Sequence, residues 1–308
     1  MELLFNESRQ VYLSKINKVQ DYIESHLEDE LCIQLLAGIA SFSEFHFQRI
    51  YRQITGESLY GFIKRLRLEK AVFLLRSSHK RTIQDIALSV GFSNQASFAK
   101  ALKERYGVNA SEFRKMQEQE MNKLVGEVSR NGKVSEDNMQ YNNPMEVNIR
   151  TIDPVRIVYV RHTGAYKGDQ DLFQTLFDRL YHYAEHQGLI HSGTQWFALY
   201  HDYSELTEEF KLRVSIGVSV GEELSRKEEI SCTGEFGSTE IAGGKYAVGR
   251  FLLDNEEYQG AWNYMISKWL PESGYMPDDR LCFESYPSEE EGTDRRRIVE
   301  IFIPIIPL

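Results

Sequence analysis

Two short stretches of the chain carry amides and cations at matching helical spacing. In the first, Phe45, Gln48, Arg49 and Arg52 fall within two turns; about fifty residues later come Gln95, Ser97, Lys100 and Lys103. Such side chains suit the edges of base pairs. Arg or Lys donates to guanine O6 and N7, and Gln pairs with adenine N6 and N7. A different chemistry is open at Glu284, a carboxylate in the aromatic-rich stretch CFESY. With Trp196, Tyr200, Trp262, Trp269 and Tyr286 around it, Glu284 could anchor a cationic, lipophilic ligand through charge, cation–π attraction and apolar burial. The alternative there is a carboxylate on an exposed sheet face beside ordinary core aromatics. Strand alternation puts Cys282, Glu284 and Tyr286 on one face but does not say which face is buried.

The elements that must position the first set are duplicated. IQLLAGIASFSEFHFQRIYRQITG (33–56) and IQDIALSVGFSNQASFAKALKERYG (83–107) match at Ile33/Ile83, Ala37/Ala87, Phe42/Phe92, Phe47/Phe98 and Gly56/Gly107. Each copy predicts a short apolar helix, a tight turn at Ser41 or Gly91, an N-cap at Ser43 or Ser93/Asn94, and a second helix closed by Gly. Phe47, Ile50 and Tyr51, and likewise Phe98, Ala101 and Leu102, form the inward face of each second helix. Residues 59–78 carry apolar residues at helical spacing, with Lys64, Arg65, Arg67 and Lys70 among them, and read as a connecting helix. Two recognition helices held about 34 Å apart would enter successive major grooves. Ordinary solvated helices of a bundle are the competing reading.

The formal net charge of −10 hides an asymmetry. Residues 41–115 hold 14 Lys/Arg against 6 Asp/Glu, whereas residues 119–308 hold 19 against 32. The first stretch suits a polyanion; the second does not. Three scattered cysteines, Cys32, Cys232 and Cys282, argue against a disulfide framework or a zinc ribbon. With no apolar run of membrane-spanning length, a cytoplasmic, nucleoid-associated protein without membrane contact is expected. His182 and His186 stand four apart without an evident third ligand, so no metal and no cofactor are expected.

Beyond a polar linker at 118–144, helical period gives way to alternation. Strand, amphipathic helix and strand pair occur in that order, and then occur again. Gly188/Gly274, Phe197/Phe283 and Tyr200/Tyr286 correspond at one spacing. The expected architecture is an N-terminal all-α domain (10–117) with two helix-turn-helix units joined by a connecting helix. A C-terminal α+β domain of two βαββ modules (145–308) follows, with a groove along their pseudo-twofold interface.

FQRIYRQITGESLYGFIKRLRLEKA and TIQDIALSVGFSNQASFAKALKERYGVNASEFRK resemble the DNA-binding domain of the AraC/XylS family of bacterial transcription regulators. VYVRHTGAY, AGGKYAVGRF, WLPESGY and CFESY are similar to GyrI-like small-molecule-binding domains, and the combined order resembles the Rob-like regulators. The resemblance implies base reading from Phe45, Gln48, Arg49, Gln95, Ser97 and Lys100. It also implies an effector domain of the multidrug-sensing kind, with a pocket glutamate at Glu284. Glu44, at the leading edge of the first recognition helix, departs from a phosphate-binding pattern. Two other readings of the second half stay open. One is a hydrolase using Glu284 with Tyr286 or Tyr200 to activate water. The other is a protein-interaction module, with RNA polymerase or a topoisomerase as partner.

Overall fold

The computed structural model describes residues 2–77, 81–116, 141–203, 206–221, 230, 232–287 and 296–307. Most of the expected linker at 118–144 lies outside the described residues. The chain divides into two compact units. One contains residues 1–134 together with the short segments 163–165 and 202–212; the other contains the rest.

The first unit is helical: α1 (Glu2–Ser25), α2 (Ile33–Ile39), α3 (Glu44–Thr55), α4 (Leu59–Ser77), α5 (Ile83–Ser89), α6 (Gln95–Tyr106) and α7 (Ala110–Lys115). The duplicated sequence becomes duplicated geometry. In the two turns, Phe42 N–H donates to Ala37 O and Phe92 N–H to Ala87 O, each at 3.0 Å. Both turns pass through the left-handed region, at Ser41 (φ 54°) and Gly91 (φ 86°). Asn94 caps α6 by accepting from Ser97 N–H, while Ser43 precedes α3 without a side-chain cap bond. Capping boxes at Thr82/Asp85 and Asn109/Glu112 fix the starts of α5 and α7.

A left-handed conformation costs a side-chain-bearing residue about 1–2 kcal/mol. Ser41→Gly is therefore expected to stabilise this unit by about 0.5–1 kcal/mol, the unfolded-chain entropy of Gly offsetting part of the gain. Gly91→Ala should cost about 2 kcal/mol or more, because its Cβ would fall 2.5 Å from Leu27 O and 2.7 Å from the Arg67 guanidinium. Urea midpoints followed by far-UV circular dichroism check both signs.

Two hydrophobic cores fill this unit, and α4 is shared between them. Leu59, Phe62, Ile63 and Leu66 pack with α1, α2 and α3 around Phe47 and Tyr51. Leu68, Ala71, Val72 and Leu75 pack with α5, α6 and α7 around Phe98 and Leu102. Successive turns of one rod thus hold one helix-turn-helix each. Leu206, from the segment 202–212, is buried in the second of these cores.

The second unit is a sheet with helices on one face: β1 (Glu146–Ile152), β2 (Val155–Thr163), α8 (Gln170–His186), β3 (Trp196–Tyr200), β4 (Arg213–Ser219), β5 (Gly237–Ile241) and β6 (Gly244–Leu253). Then come α9 (Tyr258–Asn263), a π-helical stretch (Tyr264–Trp269), α10 (Leu270–Glu272), β7 (Tyr275–Pro277), β8 (Cys282–Tyr286) and β9 (Arg297–Pro307). The strand order is β1-β6-β9-β8-β3-β4-β2-β5, with β7 beside β9. Two βαββ modules, β2-α8-β3-β4 and β6-α9-β8-β9, meet at the central β3–β8 pair. The π-helical stretch runs up to Pro271, which has no N–H to donate; a wider turn also relieves the clash of its ring with the preceding carbonyls.

The edge strands β1 and β5 cross between modules. Their ladders form one register, from Glu146↔Arg250 to Ile152↔Gly244 and on from Val155↔Ile241 to Tyr159↔Gly237. It breaks only where Asp153–Pro154 faces Ala242–Gly243. Pro154 cannot donate to a ladder, and a Cβ at Gly243 would lie 2.7 Å from its ring. The sheet therefore curls until its two ends meet at this kink, enclosing Phe197, Phe283, Tyr246 and Phe302 on the inner face.

Candidate functional site

On α3, Phe45, Gln48, Arg49 and Arg52 are all exposed, and Phe45 is 75% accessible despite its aromatic ring. On α6, Gln95, Lys100 and Lys103 are exposed. Lys100 keeps only a 4.0 Å approach to Glu104 with its side chain 79% accessible. Ser97 is half-buried, and its hydroxyl donates to Asn94 O at 2.9 Å, so its hydroxyl proton serves the helix start. Glu44 accepts from Gln34 Nε2 at 3.3 Å, which ties this carboxylate to α2. Each recognition helix thus offers amide and cation side chains to solvent, while Phe47/Tyr51 and Phe98/Leu102 are buried.

The cations of α4 behave differently. Arg67, half-buried, donates to Leu27 O (3.0 Å) and Asp29 O (2.8 Å). Arg65 is 2% exposed and sits in a carboxylate cage. Its guanidinium reaches Glu57 at 2.8 Å, Asp202 at 3.0 Å and Glu69 at 3.4 Å. Arg105 joins Glu69 (3.3 Å) and Glu208 (3.6 Å), and Lys211 joins Glu208 (3.2 Å) and Glu57 (3.9 Å). These contacts link three cations with four carboxylates among the described residues. The Glu69 pKa is pushed up to about 7, first by burial, against the pull of Arg65 and with a further push from Asp202. A carboxyl with its folded pKa above the unfolded 4.5 holds its proton better in the fold. Stability is then greatest at low pH and falls as pH rises from about 4.5 through about 7. Urea midpoints of the helical signal between pH 5 and 7.5 should decline, and Glu69→Gln should flatten that slope. An unchanged slope in the variant refutes the assignment.

The second candidate site surrounds Glu284. Ala198↔Glu284 is the central cross-strand pair of β3 and β8, flanked by Trp196↔Tyr286 and Tyr200↔Cys282. Glu284 is 1% exposed, on the face where Ala198 packs beneath α8. Trp262 Nε1 donates to Oε1 at 2.6 Å and the Tyr286 hydroxyl to Oε2 at 2.5 Å; Tyr200 bonds it as well. Burial pushes the Glu284 pKa up, and these three donors pull it back; no cationic side chain is among the groups acting on it. Burial and the neighbouring carboxylate push the Tyr200, Tyr258 and Tyr286 hydroxyls well above their ordinary range.

Aromatic rings extend the site outward. Phe177 stands 5.4 Å from Tyr286, edge to face, and 6.2 Å from Trp196, which stacks with Tyr181. Tyr200 meets Trp262 at 5.4 Å and Tyr166 at 5.9 Å. Glu284, Trp196, Tyr200, Trp262 and Tyr286 are thus brought together. Trp269 packs instead against the core of the second module, in the π-helical stretch seven residues beyond Trp262. Phe177, Tyr181, Tyr166 and Tyr258 join the ring without having been singled out in the sequence. The spacing Phe173, Phe177, Tyr181, every fourth residue on α8, carried that signal beside the Leu172/Leu176/Leu180 stripe. His182 and His186 are both exposed, and the described residues contain no group of metal-ligating side chains.

Residues 145–306, more than half of the chain, match the family described as a GyrI-like small molecule binding domain. The chain belongs to this GyrI-like family. Residues 36–116 match a helix-turn-helix domain family. The Tn10 TetD protein of Escherichia coli is 34% identical over 109 residues, covering 35% of this chain and 78% of that protein. The transcriptional activator AarP of Providencia stuartii is 34% identical over 101 residues, covering 33% and 74%. The transcriptional regulator Rob of Salmonella typhimurium is 32% identical over 97 residues, covering 32% of this chain and 33% of Rob. The chain therefore matches most of the length of TetD and AarP, and a third of Rob. An AraC-type helix-turn-helix unit precedes a GyrI-like domain whose central strand pair holds a buried glutamate. No helix among the described residues is long and apolar enough to cross a membrane.

Proposed function

We propose that this GyrI-like chain is a transcription regulator that reads duplex DNA through α3 and α6 in successive major grooves, and senses lipophilic cations at Glu284. One observation carries the DNA reading: two helix-turn-helix units hang from a single helix, α4, each with an exposed amide-and-cation face. Phe45, Gln48, Arg49 and Arg52, with Gln95, Lys100 and Lys103, are the proposed contacts. Arg65 and Arg67 are not, because Arg65 is buried among carboxylates and half-buried Arg67 is held by the Leu27 and Asp29 carbonyls. Such a regulator acts at the nucleoid.

Glu284 supports the cation reading because the described groups around its buried carboxyl are hydrogen-bond donors, Trp262, Tyr286 and Tyr200. A hydrolase reading is weaker: the relatives with named roles are transcriptional regulators.

Selection of bound duplexes from a random pool should yield a defined site whose affinity falls steeply with salt, since each neutralised phosphate releases counterion. Lys100→Ala should then weaken that site by about 1–3 kcal/mol while leaving the fold intact. A chain that retains no duplex in preference to others at moderate salt would end the regulator reading.

A further inference from the structure

The segment 202–212 leaves β3 of the GyrI-like sheet and returns to β4, yet belongs to the helical unit. We propose that Tyr200, His201 and Asp202 form the link through which a ligand at Glu284 changes DNA binding. This deepens the function proposed above and rests on it.

Each of the three consecutive residues is fixed to a different place. Tyr200 bonds Glu284 and meets the Trp262 ring edge to face. His201, the first residue past the end of β3, lies 2.8 Å from Ser215 Oγ and 3.2 Å from the Arg161 guanidinium, and its backbone N–H donates to Arg213 O. Asp202 accepts from Arg65 at 3.0 Å. Tyr203 then stacks on Phe73 of α4 at 5.5 Å, and Leu206 enters the second helical core. Leu206 O accepts from Arg105 of α6 at 3.1 Å.

From Tyr200 to Asp202 the chain advances two residues, about 7 Å if extended. In the proposed link, a ligand that separates Tyr200 from Glu284 shifts the strand end that carries His201 and, one residue on, Asp202. Arg65 lies on α4 within the turns that hold the first core, three residues before Leu68 opens the second, so a change there bears on the rod that carries both recognition helices. A simple staple would need only burial of Leu206. An ionised Asp202 on a buried Arg65, one residue beyond the clamped His201, adds a contact whose geometry is sensitive to small shifts.

The test uses the full chain, the duplex selected from a random pool, and tetraphenylphosphonium as the cationic probe. Probe affinity is read by tryptophan fluorescence, and DNA affinity by anisotropy with and without saturating probe. In the wild type, the probe should change DNA affinity about fivefold or more. Asp202→Asn should keep probe affinity within about twofold and still bind the duplex, while the probe's effect on DNA affinity falls below about twofold. Tyr203→Ala, which leaves no buried charge, should show the same loss and serves where Asp202→Asn folds poorly. Coupling retained in both variants overturns the proposal. So does a wild type that binds both partners with no coupling. A wild type that binds neither removes the regulator reading, and this link with it.

Discussion

Arg65→Ala is expected to destabilise the helical unit by about 3–5 kcal/mol. The side chain is 2% exposed, and its guanidinium satisfies Glu57, Glu69 and Asp202 at once. Removing it strands those carboxylates in a poorly solvated place. The penalty arises from the unpaired partners more than from the lost attraction. Adding Glu69→Gln and Asp202→Asn to Arg65→Met should therefore recover much of the loss. Arg67→Ala, which breaks bonds to two backbone carbonyls, should cost less, about 1–3 kcal/mol. The measurement is favoured by the distribution of tryptophan: Trp196, Trp262 and Trp269 all lie in the GyrI-like half. Fluorescence follows that unit while far-UV circular dichroism weights the helices, so the two transitions can be separated. A shift under about 1 kcal/mol for Arg65→Ala would show that the cage is solvated in solution.

At the other site, Glu284→Gln should weaken tetraphenylphosphonium binding by about 2–3 kcal/mol, on the order of 30- to 150-fold. A carboxylate and a cation about 4 Å apart attract by about 4 kcal/mol at an effective dielectric of 20, and part of this is lost to desolvation. Glutamine keeps the volume and one acceptor, so the fold should persist. The pH dependence gives a second reading of the same group. Burial raises the Glu284 pKa, and a proton there competes with the cation. Affinity should hold at high pH and fall as pH drops through the raised pKa, earlier than for an ordinary carboxylate. The Gln variant should show no such fall. Equal affinities in the two proteins would remove Glu284 from the ligand's surroundings.

Much of this organisation is legible in the sequence because it is local. The Ile-to-Gly repeat specifies helix, left-handed turn and helix within about 25 residues, and Phe42/Phe92 and Ala37/Ala87 become the same backbone bond in both copies. The alternation of CFESY likewise places Glu284 opposite Phe283. The crossing of β1 and β5 is not local: GSTEI carries little strand signal, and its partner β2 lies some eighty residues earlier. Of the basic residues at 64–70, the sequence alone determined a helix and a positive count. Only the tertiary structure decided that Arg65 is buried and that Arg67 is held by the carbonyls of Leu27 and Asp29, because the acid that cages Arg65, Asp202, is 137 residues away. In the same way, spacing gave Phe177 and Tyr181 a common helix face, whereas their approach to Trp196 and Tyr286 depends on how α8 settles on the sheet. Helix and strand periods arise from backbone geometry repeated every few residues. Charge pairing and ring contacts depend on distances in space, which only the packed chain defines.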